Sequence, residues 1–497
     1  MRLLRTTLPA LSLLFALAAP VSASYFAQGS RYFVFKKYDK AREMFLKAVE
    51  QSNDGNAYYF LGEIEKNEAN FDKALEYYQS AVKGRIQGKY LKLAYWNIII
   101  LAERISDYDA MVKGCRELYE RLGDGGAKSK VESLINKLLW TDNEKAKAKY
   151  KNGIKLKNAG STEEALAEFR AALSEDYGFL APKFEIGLLE LKNENDTAAL
   201  GYFNEIAAKI PFYGEVHLLL GDIHFRRSNY RESRHHLEKA LELGFLDKST
   251  RAMAHLKNAS SGYNMRDYSR AREDAARALS LNPGSLETLL LLSAIYIKEN
   301  NYDGALSTLK KAGAVDPGNE EIVFQIGSIH YKKNEPAYIT QFERLYGLTR
   351  SQKDELPSKY QKAFALLAKA YYEKHEYSKA EKILAELPDT MKDNESKILL
   401  AKSLYHQGKL ETALEHFEKL YLRDDDDRLL LARLYARTGR SLRAKELLLR
   451  FYSSESYWKK IKSDPYLMKT AAEIEADKKR EAESRTPDKP VHSEPKN

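Results

Sequence analysis

One stretch of 34 residues recurs, with variation, from residue 25 to residue 452, and its clearest copy is 284–317, GSLETLLLLSAIYIKENNYDGALSTLKKAGAVDP. Apolar residues return three and four apart in each half: Leu289, Leu292 and Tyr296, then Ala305, Leu309 and Ala312. Glu299-Asn300-Asn301 separates the halves and Pro317 closes the second. The spacing predicts two short amphipathic helices joined by a tight turn. Neither helix can bury its stripe alone, so such units must stack, each covering the next. A chain of 497 residues, 44% hydrophobic and 30% charged, is long enough for several ordinary domains. The repeats leave no stretch for them.

The first 23 residues differ in kind. Arg2 and Arg5 form a basic start, Leu8 to Ala19 an apolar run, and Val21-Ser22-Ala23 a set of small residues suited to cleavage before Ser24. This is the pattern of a secretory signal peptide, with an apolar run short for a bilayer span. Export to a bacterial periplasm is the expectation. No later run approaches ~20 apolar residues, and Trp96 to Leu101 reads as a buried helix, so no transmembrane segment is expected after cleavage. The single cysteine, Cys115, cannot staple the chain, so packing must carry its stability. The formal charge of +9 falls by two with Arg2 and Arg5, a mild excess; export argues against nucleic acid as a partner.

Gly29, Tyr32, Tyr38, Ala41, Phe45 and Ala48 are spaced like Gly62, Phe71, Ala74, Tyr78 and Ala81 one unit later. Small residues let paired helices approach, and aromatics fill the space beside them. Gly153, Ala165, Phe169 and Ala172 repeat the arrangement, as do Gly187, Ala199 and Phe203, and then Gly221, Tyr230 and Ala240. The pattern resembles the tetratricopeptide repeat family. That family's unit is two antiparallel helices with a small residue at position eight, aromatics at eleven and twenty-four, and Ala at twenty and twenty-seven. The resemblance implies an all-α fold, a right-handed superhelical solenoid of about twelve helix-turn-helix repeats.

Boundaries follow from the quality of the repeats. Residues 24–122 read as an N-terminal array of three, the third degenerate, with Ile99 in place of the small residue and Cys115 in place of the aromatic. Cys115 is therefore expected in the core and not as a reactive thiol. Gly123-Asp124-Gly125-Gly126 reads as a break, making 123–143 a linker and helix. A central array spans 144–349, its ninth repeat losing its second-helix pattern around Pro336, and a C-terminal array spans 350–452. Residues 453–474 read as a capping helix and 475–497, charged and then Pro-rich, as a disordered tail.

Chemistry is sparse. His217, His224, His235, His236 and His255 are the densest histidine cluster, but they fall at packing positions, with no Cys and no carboxylate at metal-ligand spacing. Asp424 to Asp427 lacks the glycine and terminal glutamate of a calcium loop and reads as charge complementing a helix start. No catalytic, cofactor or metal residues are expected, and the chain reads as a non-enzyme.

The family geometry implies that first helices line a concave face through positions two, five, nine and twelve. Carried onto this sequence, that nominates Phe184, Leu218, Phe225, Leu256, Tyr263, Leu290, Ile297, Phe324, Tyr331 and Tyr372 as partner-binding residues. Lys66, Lys157, Arg226, Lys298, Lys332 and Lys369 lie beside them and suggest an acidic partner segment. Position nine, as in Glu63, Ile154, Leu188 and Asp222, lacks the asparagines with which some family members clamp a terminal carboxylate. The expected function is a protein-binding scaffold in an envelope complex, with a cell-wall glycan or polysaccharide as the alternative ligand.

Overall fold

The computed structural model describes residues 24–352 and 356–484. The expected signal peptide and the end of the expected tail lie outside the described residues. Among those residues there are 27 α-helices and no β-strand. Twelve helix-turn-helix hairpins account for most of them, from the first, Tyr25–Val34 with Tyr38–Ser52, to the twelfth, Asp425–Arg437 with Ser441–Leu448. The helix Gly125–Leu139 stands between the third and fourth, and Glu455–Ser463 and Met468–Ser484 follow the twelfth.

Every hairpin turns in the same way. Two residues after the first helix the backbone enters the left-handed region, at Lys36, Ala69, Ser106, Gly160, Glu194, Ser228, Arg266, Asn300, Asn334, His375, Gly408 and Gly439. The next N–H then reaches back to the last turn of the helix, as in Asn195 N to Glu190 O at 2.8 Å and Arg440 N to Tyr435 O at 2.8 Å. This is the main-chain closure that satisfies orphan carbonyls at a helix end. Only three of these twelve residues are glycine.

In five of the hairpins a glycine in the first helix packs against a ring in the second. A Cβ on Gly62 would come within 2.8 Å of Tyr78, one on Gly153 within 2.6 Å of Phe169, and one on Gly187 within 2.7 Å of Phe203. Those rings are fully buried. The third hairpin inverts the arrangement: Ile99 is large and Cys115 small, and both are fully buried. Burial pushes the Cys115 thiol up to about 12, so it stays protonated and inert, in keeping with a core role.

The chain forms two compact units, the first through Leu291 and the second from Leu292. The division falls inside the helix Leu286–Lys298 and not at the expected 349/350 boundary. The ninth hairpin is intact because Pro336 stands immediately before the helix Ala337–Gln352, where its missing N–H costs no helical bond. Gly327 meets Phe342 there as in other repeats.

Two further boundaries are corrected. The glycine-rich run at 123–126 is not a linker: Gly123 ends one helix with φ 64°, and Asp124 caps the next by accepting from Gly126 N at 2.9 Å. That next helix buries Ala127, Val131, Leu134, Ile135 and Leu139 in the core of the first unit. At the other end the cap is two helices, whose Trp458, Ile461, Leu467, Ala471 and Ile474 cover Leu429, Leu448 and Phe451. The second runs past residue 474 to Ser484. Its polar end is carried by helix-spaced ion pairs, Arg480 to Asp477 at 3.1 Å and Lys478 to Glu481 at 3.0 Å.

Candidate functional site

Within each unit, first helices touch the first helices of the next hairpin. In the first unit Tyr25–Val34 meets Gly55–Asn67 and Gly214–Arg226 meets Lys248–Asn264; in the second Glu320–Lys332 meets Gln361–Glu373, which meets Asn394–His406. First helices therefore form one layer, and its open side is the candidate surface.

In the first unit this surface carries Phe184, Leu218, Phe225, Leu256, Tyr263 and Leu290, all half-buried. Phe184 stacks on Tyr213 with centroids 5.6 Å apart and meets Phe203 edge-on at 6.0 Å. Phe225 lies against Tyr230 at 5.9 Å and Tyr263 against Tyr268 at 5.8 Å. In the second unit Ile297, Phe324 and Tyr372 are half-buried and Tyr331 is 39% exposed. Phe324 contacts Tyr360 at 5.1 Å, Tyr331 contacts Tyr338 at 5.3 Å, and Tyr372 contacts Tyr377 at 5.3 Å. The Tyr372 hydroxyl also shares a 3.1 Å hydrogen bond with His406 Nε2. Most position-twelve rings are thus anchored on the ring that opens their own second helix. What they offer a partner is one remaining side.

Several cations beside the stripe are engaged within the chain, which leaves fewer of them for an acidic partner than their number suggests. Lys157 donates to Glu185 at 2.7 Å, Lys66 to Glu63 at 2.8 Å and to Asn97 at 3.1 Å, and Arg226 to Asp196 at 2.5 Å. Lys332 lies 6.0 Å over the Tyr302 ring. Lys298 and Lys369 remain exposed. Further rungs join neighbouring first helices: Asp222 accepts from Lys257 in the first unit, and Ser293 Oγ donates to Gln325 at 3.2 Å in the second. These bonds brace the layer.

The histidines pack as the sequence suggests, more tightly than spacing alone could show. His217 and His236 bring their Nδ1 atoms to 3.0 Å, and His236 stacks on His224 at 5.6 Å, 4° from parallel. His217 Nε2 also bonds Pro211 O at 3.0 Å. Burial, with the neighbouring imidazoles, pushes His236 down to about 4, and burial lowers His217 and His224 as well. His255 instead faces Asp274 at 3.2 Å. Asp424 caps its helix by accepting from Asp426 N at 3.1 Å, and Asp427 is buried against Lys402.

One feature escaped the repeat pattern. Where the extra helix Gly125–Leu139 ends, Trp140 turns into extended backbone and remains 44% exposed. Its indole stands perpendicular to Tyr150 at 5.6 Å and to Phe179 at 5.4 Å. Trp140 and Tyr150 wall a crevice of about 600 Å³, rimmed by Lys137, Thr141 and Asp142. Tyr150 takes the fifth position of the fourth repeat, three residues before Gly153, but Trp140 lies outside every repeat, so repeat spacing could not nominate it.

Models of the tetratricopeptide repeat match residues 26–89, 150–213 and 264–332. The chain carries tetratricopeptide repeats. No curated protein matches it over its length or in part. Solved tetratricopeptide repeat and related structures resemble it at low identity. YrrB, described as a TPR protein with an unusual peptide-binding site, is 18% identical, covering 37% of this chain and 93% of its own, with a TM-score of 0.33. MamA from Desulfovibrio magneticus RS-1 is 18% identical over 35% of this chain and 97% of its own, with a TM-score of 0.33. Yeast Tom70 is 17% identical over 90% of this chain and 98% of its own, with a TM-score of 0.27. No helix among the described residues is long and apolar enough to cross a membrane.

Proposed function

We propose that this tetratricopeptide repeat protein is a non-enzymatic scaffold of the bacterial cell envelope, binding partner polypeptide segments on the first-helix face of each unit. The observation that carries the reading is the succession of half-buried rings on that face, each fixed on one side and open on the other. Such rings supply large, stiff contact area with a polar handle, the chemistry of protein-binding hot spots. The rungs between first helices hold the surface in place before a partner arrives, which lowers the ordering cost of binding. The envelope setting rests on the signal-like pattern of residues 1–23.

A cell-wall glycan is the alternative occupant, favoured by the open indole of Trp140, because ring faces also stack on sugars. Photo-crosslinking at position 331 in intact cells, read by mass spectrometry, decides between them. A protein adduct at defined stoichiometry that disappears in Tyr372→Ala supports the scaffold. An adduct containing carbohydrate alone overturns it.

A further inference from the structure

We propose that the crest of the first hairpin, residues 34–40, docks the protein on an anionic lipid surface. The site lies apart from the first-helix face and adds a second kind of partner to the scaffold.

This crest differs from the others in what it shows to solvent. Its first helix ends at Phe35, and the residue at that step is polar in most other hairpins, as at Glu68, Asn193, Lys333 and Lys374. Where it is apolar, at Ile105, Ala159 and Met265, no ring stands there. Phe35 is 73% exposed beside Val34 at 55%, and no other phenylalanine among the described residues is exposed. Tyr32 and Tyr38 are half-buried behind them, Tyr38 against Phe33 at 5.7 Å. A phenyl ring outermost and phenols behind it match a boundary that is apolar within and wet at its edge.

Charge points the same way. Around the rings stand Arg31, Lys36, Lys37, Lys40 and Arg42, against the single carboxylate Asp39. Arg42 binds Asp39 at 3.3 Å and, on the next hairpin, Glu65 at 3.4 Å and Glu68 at 2.5 Å. Lys73 also holds Glu65, at 3.3 Å. Of the acids at this end of the first two hairpins, only Asp72 is left open. Arg31, Lys36, Lys37 and Lys40 are exposed and form no ion pair among the described residues; Lys40 lies 6.0 Å over the Tyr32 ring.

The two features together select the occupant. A pocket in a protein partner would take Phe35 with no need of lysines, and an acidic partner would take the lysines with no use for a protruding ring. Anionic headgroups draw the cations while the ring enters the boundary beneath them, so a lipid surface uses both.

The test uses the chain from Ser24 to its end, which holds every described helix and lacks the apolar leader. Flotation with phosphatidylglycerol-containing vesicles should recover about tenfold more protein than with phosphatidylcholine alone. Lys36→Gln with Lys37→Gln should lower partition by about thirtyfold and Phe35→Ser by about tenfold. Phe35→Trp should retain it, its added emission moving to the blue as anionic vesicles are added. Lys374→Gln, at a crest with cations and no ring, should leave partition within about twofold of wild type. Equal recovery with both vesicles, recovery with neither, no effect of Phe35→Ser, or an equal loss in Lys374→Gln overturns the proposal. So does a protein captured through position 35 by a chain that floats with no vesicle. Crosslinking at position 331 reads the scaffold separately, so either reading can fall while the other stands.

Discussion

Gly187 and Phe203 lie so close across their hairpin that no side chain fits between them: a Cβ on Gly187 would stand 2.7 Å from both Cε1 and Cζ of the ring. Gly187→Ala must therefore displace a fully buried phenyl group, at a cost of about 1–3 kcal/mol. Phe203→Ala in the same chain removes the ring that the new Cβ meets, so the double variant should lose less than the sum of the two single losses. The check is amide exchange over residues 180–209, because a repeat array loses protection hairpin by hairpin. Additive losses in the double variant would show that the two residues are not in fact coupled.

The inverted pair in the third hairpin makes a complementary prediction. Ile99→Gly should leave a cavity and Cys115→Phe should overpack, each destabilising by about 2–4 kcal/mol. Together they reproduce the glycine–ring pair of hairpins such as Gly187 with Phe203, so the double variant should be more stable than either single one. The wild-type thiol should react with a thiol reagent only after the hairpin opens, since its burial holds it protonated at neutral pH.

Acid should loosen the sixth hairpin before its neighbours. His236 is held at about 4 in the folded chain, against an ordinary 6.5, and His217 and His224 are lowered with it. Below pH 6.5 the unfolded chain takes up these protons first, so the hairpin is fully stable above that value and weakens as pH falls toward 4. Amide exchange within Gly214–Leu243 should accelerate between pH 7 and 5 after correction for the intrinsic rate, and His236→Phe should flatten that dependence. His406 and His416 shift in the same direction in the second unit, which is why the measurement must be local. An unchanged corrected rate across that window would refute the effect.

The left-handed turn residues give a stabilising prediction. Glu194 adopts φ 60° and Arg266 φ 63°, where an L side chain costs about 1–2 kcal/mol. Glu194→Gly should recover the greater part, less the entropy glycine adds to the unfolded chain, for a net gain of about 0.5–1 kcal/mol in that hairpin. Gly160→Ala, at φ 86°, should cost a similar amount.

How much of this was legible beforehand varies by residue. The hairpins were, because Gly187 with Phe203 and Gly327 with Phe342 repeat at nearly fixed spacing, and the stripe of apolar residues follows from helical period. The left-handed turn was not: Lys, Ala, Ser, Glu and His all occupy it, since its closing bonds come from the main chain and leave no demand on the side chain. Runs of glycine around Gly125 read as a break because composition does not reveal that Asp124 caps the following helix. Several cations of the open face were legible as residues but not as engaged ones, since the partner of Lys157 is a whole hairpin away at Glu185. Trp140 carried no repeat signal at all, and only the geometry of the extra helix exposes it.

The twelve turns close through main-chain bonds, and the residue at each crest is exposed. That makes the crests a set of evenly placed surveying marks along each unit. A spin label at any two of them within one unit touches neither the core nor the open face, so the separations between labels would read out directly how that unit flexes when its partner is seized.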